Sequence, residues 1–145
     1  MLVELAVSTA MVLLTVILHG GGLLALGRLL EMRDRSYDRA RISPVSIDGA
    51  IVAVLATVGL LILHGIEIWL YAVLFRGIGA IETLRDAVYF STITYASIGF
   101  SDAAITQEWK LVGAIEGING TLLLGWSVAF FVTLMTRFMP ARHHD

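Results

Sequence analysis

Apolar positions crowd into three long runs, roughly 5–30, 51–75 and 111–138, with few polar interruptions inside each. A helix needs about 20 residues to cross a bilayer, so each run predicts one membrane span. A fourth apolar piece, ETLRDAVYFSTITYA at 82–96, is shorter. As a helix of about 13–15 residues it reaches roughly 20 Å at 1.5 Å per residue, against a hydrocarbon core of about 30 Å. It opens on Thr83, Leu84, Arg85 and Asp86, the spacing of a capping box closed by Asp instead of Glu or Gln. The expected element is a re-entrant helix that returns to the side it left. The return segment, ASIGFSD at 96–102, is not helical in this reading. Bare backbone in lipid costs several kcal/mol per group, so that segment is expected to lie within protein or line a water-filled path.

The segment RLLEMRDRSYDRARISPVSID, between the first two runs, is the charge-dense stretch of the chain. Pro44 and Ser46 break it, and Ser46 or Asp48 is a candidate cap for the second helix. It carries Arg28, Arg33, Arg35, Arg39 and Arg41, and the C-terminal stretch adds Arg137 and Arg142. The other flanks hold Arg76, Arg85 and Lys110. Short loops rich in Lys and Arg stay in the cytoplasm. Seven against three therefore predicts a cytoplasmic first loop and C-terminus, with the N-terminus and 82–102 outside. Alternation of the arginines with Glu31, Asp34 and Asp38 marks the loop as a solvated turn. The opening run lacks a basic lead and is too long for a signal peptide, so it is expected to stay as a helix.

Composition agrees with a membrane setting. The chain is 57% hydrophobic and 15% charged, with a mean hydropathy of +0.83, where soluble domains carry about 25% charged residues. The 145 residues leave no room for a large soluble catalytic domain. A net charge of −2, without a basic patch and interleaved aromatics, argues against a nucleic-acid partner. The absence of cysteine removes disulfides, thiolate metal sites and cysteine nucleophiles. No serine–histidine–acid or metalloprotease spacing occurs, and no enzyme is expected. No repeat of 20–50 residues is visible.

The string ASIGFSD, with YFSTITYA before it, resembles the pore loop of the potassium-channel pore-domain family. That family sets two membrane helices around a pore helix and a TVGYG-type filter of carbonyl rings. In the resemblance Ser97 stands for the threonine, Ile98 for the valine and Gly99 for the first glycine. Phe100 stands for the tyrosine, Ser101 for the second glycine, and Asp102 for the acid at the outer mouth. Tyr89, Phe90 and Thr94 fall in the pore-helix portion. The likeness covers about 51–138. It extends in particular to small bacterial channel-like proteins with an extra N-terminal helix, through EGINGTLLLGWS in the last span. It implies an all-α membrane protein with three transmembrane helices, a re-entrant pore helix and a filter-like loop, assembled as a homotetramer in lipid. The bacterial inner membrane is the implied location. No cofactor is implied beyond a permeant monovalent cation, potassium foremost. The expected organisation is an N-terminal helix and basic loop at 1–47, a pore domain at 48–139 and a cytoplasmic tail at 140–145.

Serine at 101 departs from the family pattern. Inward carbonyls need backbone of alternating hand, and glycine supplies the left-handed positions cheaply. An L-residue there costs about 1–2 kcal/mol, which puts the outermost carbonyl ring in question. A non-conducting channel-like scaffold or partner subunit is accordingly the alternative reading.

Ionisable residues inside spans are functional candidates and face the bundle interior. His64 and Glu67 are three apart, as are Glu116 and Asn119, so each pair shares a helix face. Counted from the outer ends, Glu67 and Glu116 lie at the depth of the pore helix. They are expected, with Asn119 and Thr94, to brace the filter from behind, and direct ion or proton handling is the second reading for them. His19 and His64 are expected to be satisfied structural histidines, with haem or metal ligation as a third reading. Gly113, Gly117 and Gly120 form a small-residue stripe suited to close helix approach. Gly117, Gly120 and Gly125 are also candidate hinges, and Trp126 a candidate constriction of the pore.

Overall fold

The computed structural model describes residues 1–36, 47–99 and 101–137. The expectations placed on Arg39, Arg41, Pro44, Ser46, Phe100, Phe138 and Arg142 lie outside the described residues, as do those on the side chains of Arg33, Arg35, Asp48 and Arg137. The described chain forms α1 (Leu2–Ser36), α2 (Ile47–Gly77), α3 (Leu84–Tyr95), a 3-10 turn (Gln107–Trp109) and α4 (Lys110–Arg137). Three stretches are long and apolar enough to cross a membrane: Leu2–Met32, Gly49–Gly77 and Gln107–Thr136. They coincide with the three apolar runs.

Helix α3 has 12 residues, about 18 Å of axis, and cannot span. Its first turn is fixed by Thr83, whose backbone is extended at φ −116° and ψ 147°. The Thr83 hydroxyl accepts from the Asp86 N–H at 3.1 Å and donates to Asp86 Oδ2 at 2.7 Å. The acid thus reaches back to the cap hydroxyl, a variant of the capping box.

Helix α3 lies against α2 and α4, and α1 packs on the same two long helices. Small residues set the close approaches. A Cβ on Gly22 would fall 2.6 Å from Leu63, and one on Gly59 would fall 2.7 Å from Leu26. Each of α1 and α2 thus receives a leucine of the other on a glycine, the kind of packing that holds helices together in lipid. The stripe on α4 serves α3 in the same way. Phe90 sits over Gly113, the Thr94 carbonyl over Gly117 and the Tyr95 carbonyl over Gly120, where a Cβ would fall only 2.3 Å from the oxygen.

Two apolar clusters bracket the bundle. One, at the α3 end, gathers Tyr71, Phe75, Ile81, Phe90, Ile105 and Val112, with Phe75 and Phe90 edge to face at 5.4 Å. The other, at the opposite end, gathers Leu30, Val52, Ala56 and Leu134. The sequence levels between them carry buried polar side chains from all four helices, among them His19, His64, Glu67, Ser91, Asn119 and Ser127.

Candidate functional site

The return segment begins where α3 stops. Ser97 has a φ of +56°, and with that residue in left-handed conformation the chain folds back on the helix end. The Ser97 N–H donates to the Thr94 carbonyl at 2.9 Å, and the Ile98 N–H donates to the Ile93 carbonyl at 2.8 Å. This pairing is a Schellman motif with Ser97 in the place glycine usually takes. The Gly99 N–H also donates to the Ile93 carbonyl, at 3.0 Å, and Gly99 itself has a φ of +57°. Three successive donors are therefore spent on the helix end. Among the described residues, no hydrogen bond is donated to the carbonyl of Ser97, Ile98 or Gly99.

Among the described residues of the segment, the left-handed positions are 97 and 99, and Ser101 is not a third. The strain expected at Ser101 falls on Ser97 instead. Ser101 turns its hydroxyl to accept from the Ala103 N–H at 3.1 Å. A local side-chain bond of this kind competes with any other use of the backbone.

The segment is anchored at two levels of α4. Ser97 Oγ is 2.6 Å from Thr121 Oγ1, and Asp102 Oδ2 is 2.8 Å from Lys110 Nζ. Eleven helical residues separate those anchors, or about 16 Å. The start of the segment thus lies level with the middle of α4, on an exposed face of the chain, and its end near the first turn of α4. Asp102 is exposed, and the Lys110 ammonium that bonds and attracts it holds its carboxyl below the usual aspartate range. Asp102, the acid that the resemblance sets at an outer mouth, is thereby half of an ion pair.

Behind α3 the polar groups form a closed circuit. The Tyr95 hydroxyl, on the last residue of α3, donates to Glu67 Oε2. Glu67 Oε1 is 2.9 Å from His19 Nδ1. The far nitrogen of His19 is 3.3 Å from Ser127 Oγ, which is 2.9 Å from His64 Nε2. His64 Nδ1 closes the circuit on the Tyr95 oxygen at 2.9 Å. All four helices contribute. The donor atoms of His19, His64 and Glu67 lie within 4.8 Å of one another, yet each is engaged in this circuit. The imidazole centroids are 5.2 Å apart, which leaves no space for a porphyrin between them.

The other bracing candidates divide. Glu116 is bonded to Ser91 of α3, whose hydroxyl also lies 3.0 Å from the Ile68 carbonyl. The second oxygen of Glu116 has no partner among the described residues. Asn119 does not reach α3: its amide donates to Thr15 Oγ1 at 2.8 Å and to the Tyr71 hydroxyl at 3.2 Å, tying α4 to α1 and α2. Thr94 contributes its carbonyl, taken by Ser97 and pressed on Gly117. Gly117 and Gly120 are seats for α3, while Gly125 meets nothing within 4 Å. Trp126 packs on Gly20 and on the His19 ring at 5.5 Å, the side of α4 that faces α1.

Sequence reasoning passed over Tyr95, Ser91, Ser127 and Thr121 as site members, and it read Lys110 only as a flanking charge. Ser91 and Tyr95 are four apart on α3, so they share a face; that spacing was the available signal. Ser127 and Thr121 are ordinary small polar residues of a membrane helix, and nothing local distinguishes them.

Two long helices with a short capped helix between them, followed by a return segment that starts level with the middle of α4, define a pore-loop membrane protein. The family described as ion channel matches residues 50–137, and the chain belongs to that family, whose domain is of the two-helix, potassium-channel type. Helix α1 precedes the matched region. No curated protein and no solved structure matches the chain.

Proposed function

We propose that four copies of this chain form a passive potassium channel, with Ser97, Ile98, Gly99, Phe100 and Ser101 as the filter and Asp102 at its outer mouth. One observation carries the reading. The N–H groups of Ser97, Ile98 and Gly99 are spent on the end of α3, and among the described residues the carbonyls of the same three residues receive no hydrogen bond. At mid-bundle depth such oxygens need a partner, and a dehydrated cation is the partner that carbonyl rings serve. The C-terminal end of α3 points the same way, with about half a negative charge at its carbonyls. One chain supplies one loop, so a ring requires several copies. The arginine distribution favours an N-terminus outside and a C-terminus in the cytoplasm, and the resemblance to bacterial channel-like proteins supports an inner membrane as the location.

Ser101 keeps a second reading in play. Its backbone does not continue the left-handed alternation of 97 and 99, which favours either a filter with a loosened outer ring or a non-conducting scaffold. Flux into liposomes separates them. Protein verified as a tetramer should pass potassium faster than sodium and exclude a large organic cation. Absence of all cation flux from that preparation means the scaffold. Equal potassium and sodium flux means a loosened filter.

A further inference from the structure

The circuit behind α3 has a proton count of its own. It contains five links: Glu67 to His19, His19 to Ser127, Ser127 to His64, His64 to Tyr95, and Tyr95 to Glu67. Each link needs one hydrogen. Two neutral imidazoles bring one N–H each, Ser127 and Tyr95 bring one O–H each, and an ionised Glu67 brings none. The supply is four for five links, with one net negative charge. One further proton, taken from solvent, fills the fifth link and cancels the charge. Within a membrane interior both changes are favourable, because missing hydrogen bonds and unpaired charge are costly there.

The direction of the bonds locates the deficit. Tyr95 donates to Glu67, so its oxygen accepts from His64 Nδ1, which also lies 3.4 Å from Glu67 Oε2; an ionised Glu67 accepts from His19 Nδ1. The two remaining imidazole nitrogens both face Ser127 Oγ, whose single hydrogen serves one of them. The vacancy therefore falls on the tie to α4. No ionisable group of α4 enters the circuit. The nearest other ionisable side chains are engaged elsewhere, Tyr71 with Asn119 and Glu116 with Ser91.

We propose that the ring of His19, His64, Glu67, Tyr95 and Ser127 is a proton-binding site. It holds one proton beyond those its neutral imidazoles and hydroxyls supply, and release of that proton leaves one of the two bonds between Ser127 of α4 and the imidazoles without a hydrogen. An effect on conduction rests on the channel reading above; the proton count does not.

The test is nitrogen NMR of the full chain in detergent with isotope-labelled histidine. Free imidazole titrates near pH ~6.5, so the count is taken at about pH 8, in a background of His143→Gln and His144→Gln in which His19 and His64 alone carry the label. The expected result at that pH is three N–H hydrogens on the buried pair His19 and His64. Two N–H hydrogens, one on each ring, overturn the proposal if the labelled Glu67 carboxyl carbon reports an ionised group. With a protonated Glu67 the same count supports it, since the carboxyl then carries the extra proton. Ser127→Ala breaks both links at the α4 tie and should release the extra proton at that pH. Retention of it in this variant overturns the ring as its cause, leaving a plain His19–Glu67 ion pair. If Ser127→Ala does not fold, the wild-type count still decides. Potassium flux between acidic and alkaline pH supplies the separate arm. Flux that varies with pH in the wild type but not in Ser127→Ala supports coupling. A pH response unchanged in that variant overturns coupling. Absence of flux at every pH refutes the channel reading while leaving the proton count intact.

Discussion

Behind α3, Tyr95 and Ser91 are bonded to carboxylates of α2 and α4, and the histidines next to them are bonded through both ring nitrogens. In front of it, Ser97, Ile98 and Gly99 present carbonyls that no donor reaches among the described residues. The two faces share one short helix. The rear is a buried and mostly paired interior that ties α3 to α2 and α4, with one Glu116 oxygen left without a partner among the described residues. The front is unfinished in a single chain and needs something outside the protomer. A paired back and a bare front suit the proposed carbonyl filter, whose oxygens follow directly on a helix bonded to its neighbours on the other side.

The largest effect should come from the rear. Glu67→Ala leaves His19 and the Tyr95 hydroxyl without their acceptor. Breaking a buried charged arrangement from one side costs about 3–5 kcal/mol. Thermal unfolding in detergent should show a loss of that order. A change under 1 kcal/mol, within reach of a surface substitution (about 0.5 kcal/mol), would mean the circuit does not hold α3.

Next comes the seat of α3. Gly120→Ala puts a methyl 2.3 Å from the Tyr95 carbonyl, and forced overpacking costs about 1–3 kcal/mol. Gly125→Ala meets nothing within 4 Å and should leave unfolding unchanged in the isolated protomer. Equal effects from the two substitutions would contradict this placement of α3.

The front yields smaller differences. Ser97→Ala keeps the left-handed backbone and loses the Thr121 bond, whereas Ser97→Gly loses the same bond but removes the strain. The glycine variant should be the more stable of the two by about 1 kcal/mol. The reverse order would mean that Ser97 is not left-handed.

Smallest is the rim. Lys110 bonds Asp102 and holds its carboxyl below the usual range, so Asp102 is charged at neutral pH and loses that charge only below the ordinary aspartate value of about 3.9. Potassium flux at low salt should therefore be flat from neutral pH down to about 3.9. Lys110→Gln should raise low-salt flux by freeing the carboxylate, and the gain should fade in high salt as screening takes over. An equal gain at every ionic strength would exclude a field effect.

The architecture was legible because its signals are local. Run length separated three spans from one short helix, and the spacing of Thr83 and Asp86 marked where that helix starts. Depth counting brought Glu67 and Glu116 to the level of α3. It failed for Asn119, which lies at a similar depth but on a side of α4 that meets Thr15 and Tyr71. Depth along a helix is written in residue number, whereas the facing partner depends on how helices rotate against one another. The left-handed turn at Ser97 was illegible for a related reason. Serine carries no preference for that conformation, and the bonds to Ile93 and Thr94 impose it. Lys110 and Asp102 meet across a loop, and no periodicity records such a pairing.

Carbonyl-labelled Ile98 and Gly99 offer the decisive readout, followed by carbon NMR of the assembled protein in liposomes as a large organic cation is exchanged for potassium. The bare-front reading predicts that both carbonyl signals shift and saturate with potassium, while the carbonyl of Leu123, buried within α4, stays fixed. Signals from Ile98 and Gly99 that ignore potassium throughout would show that these oxygens meet no ion.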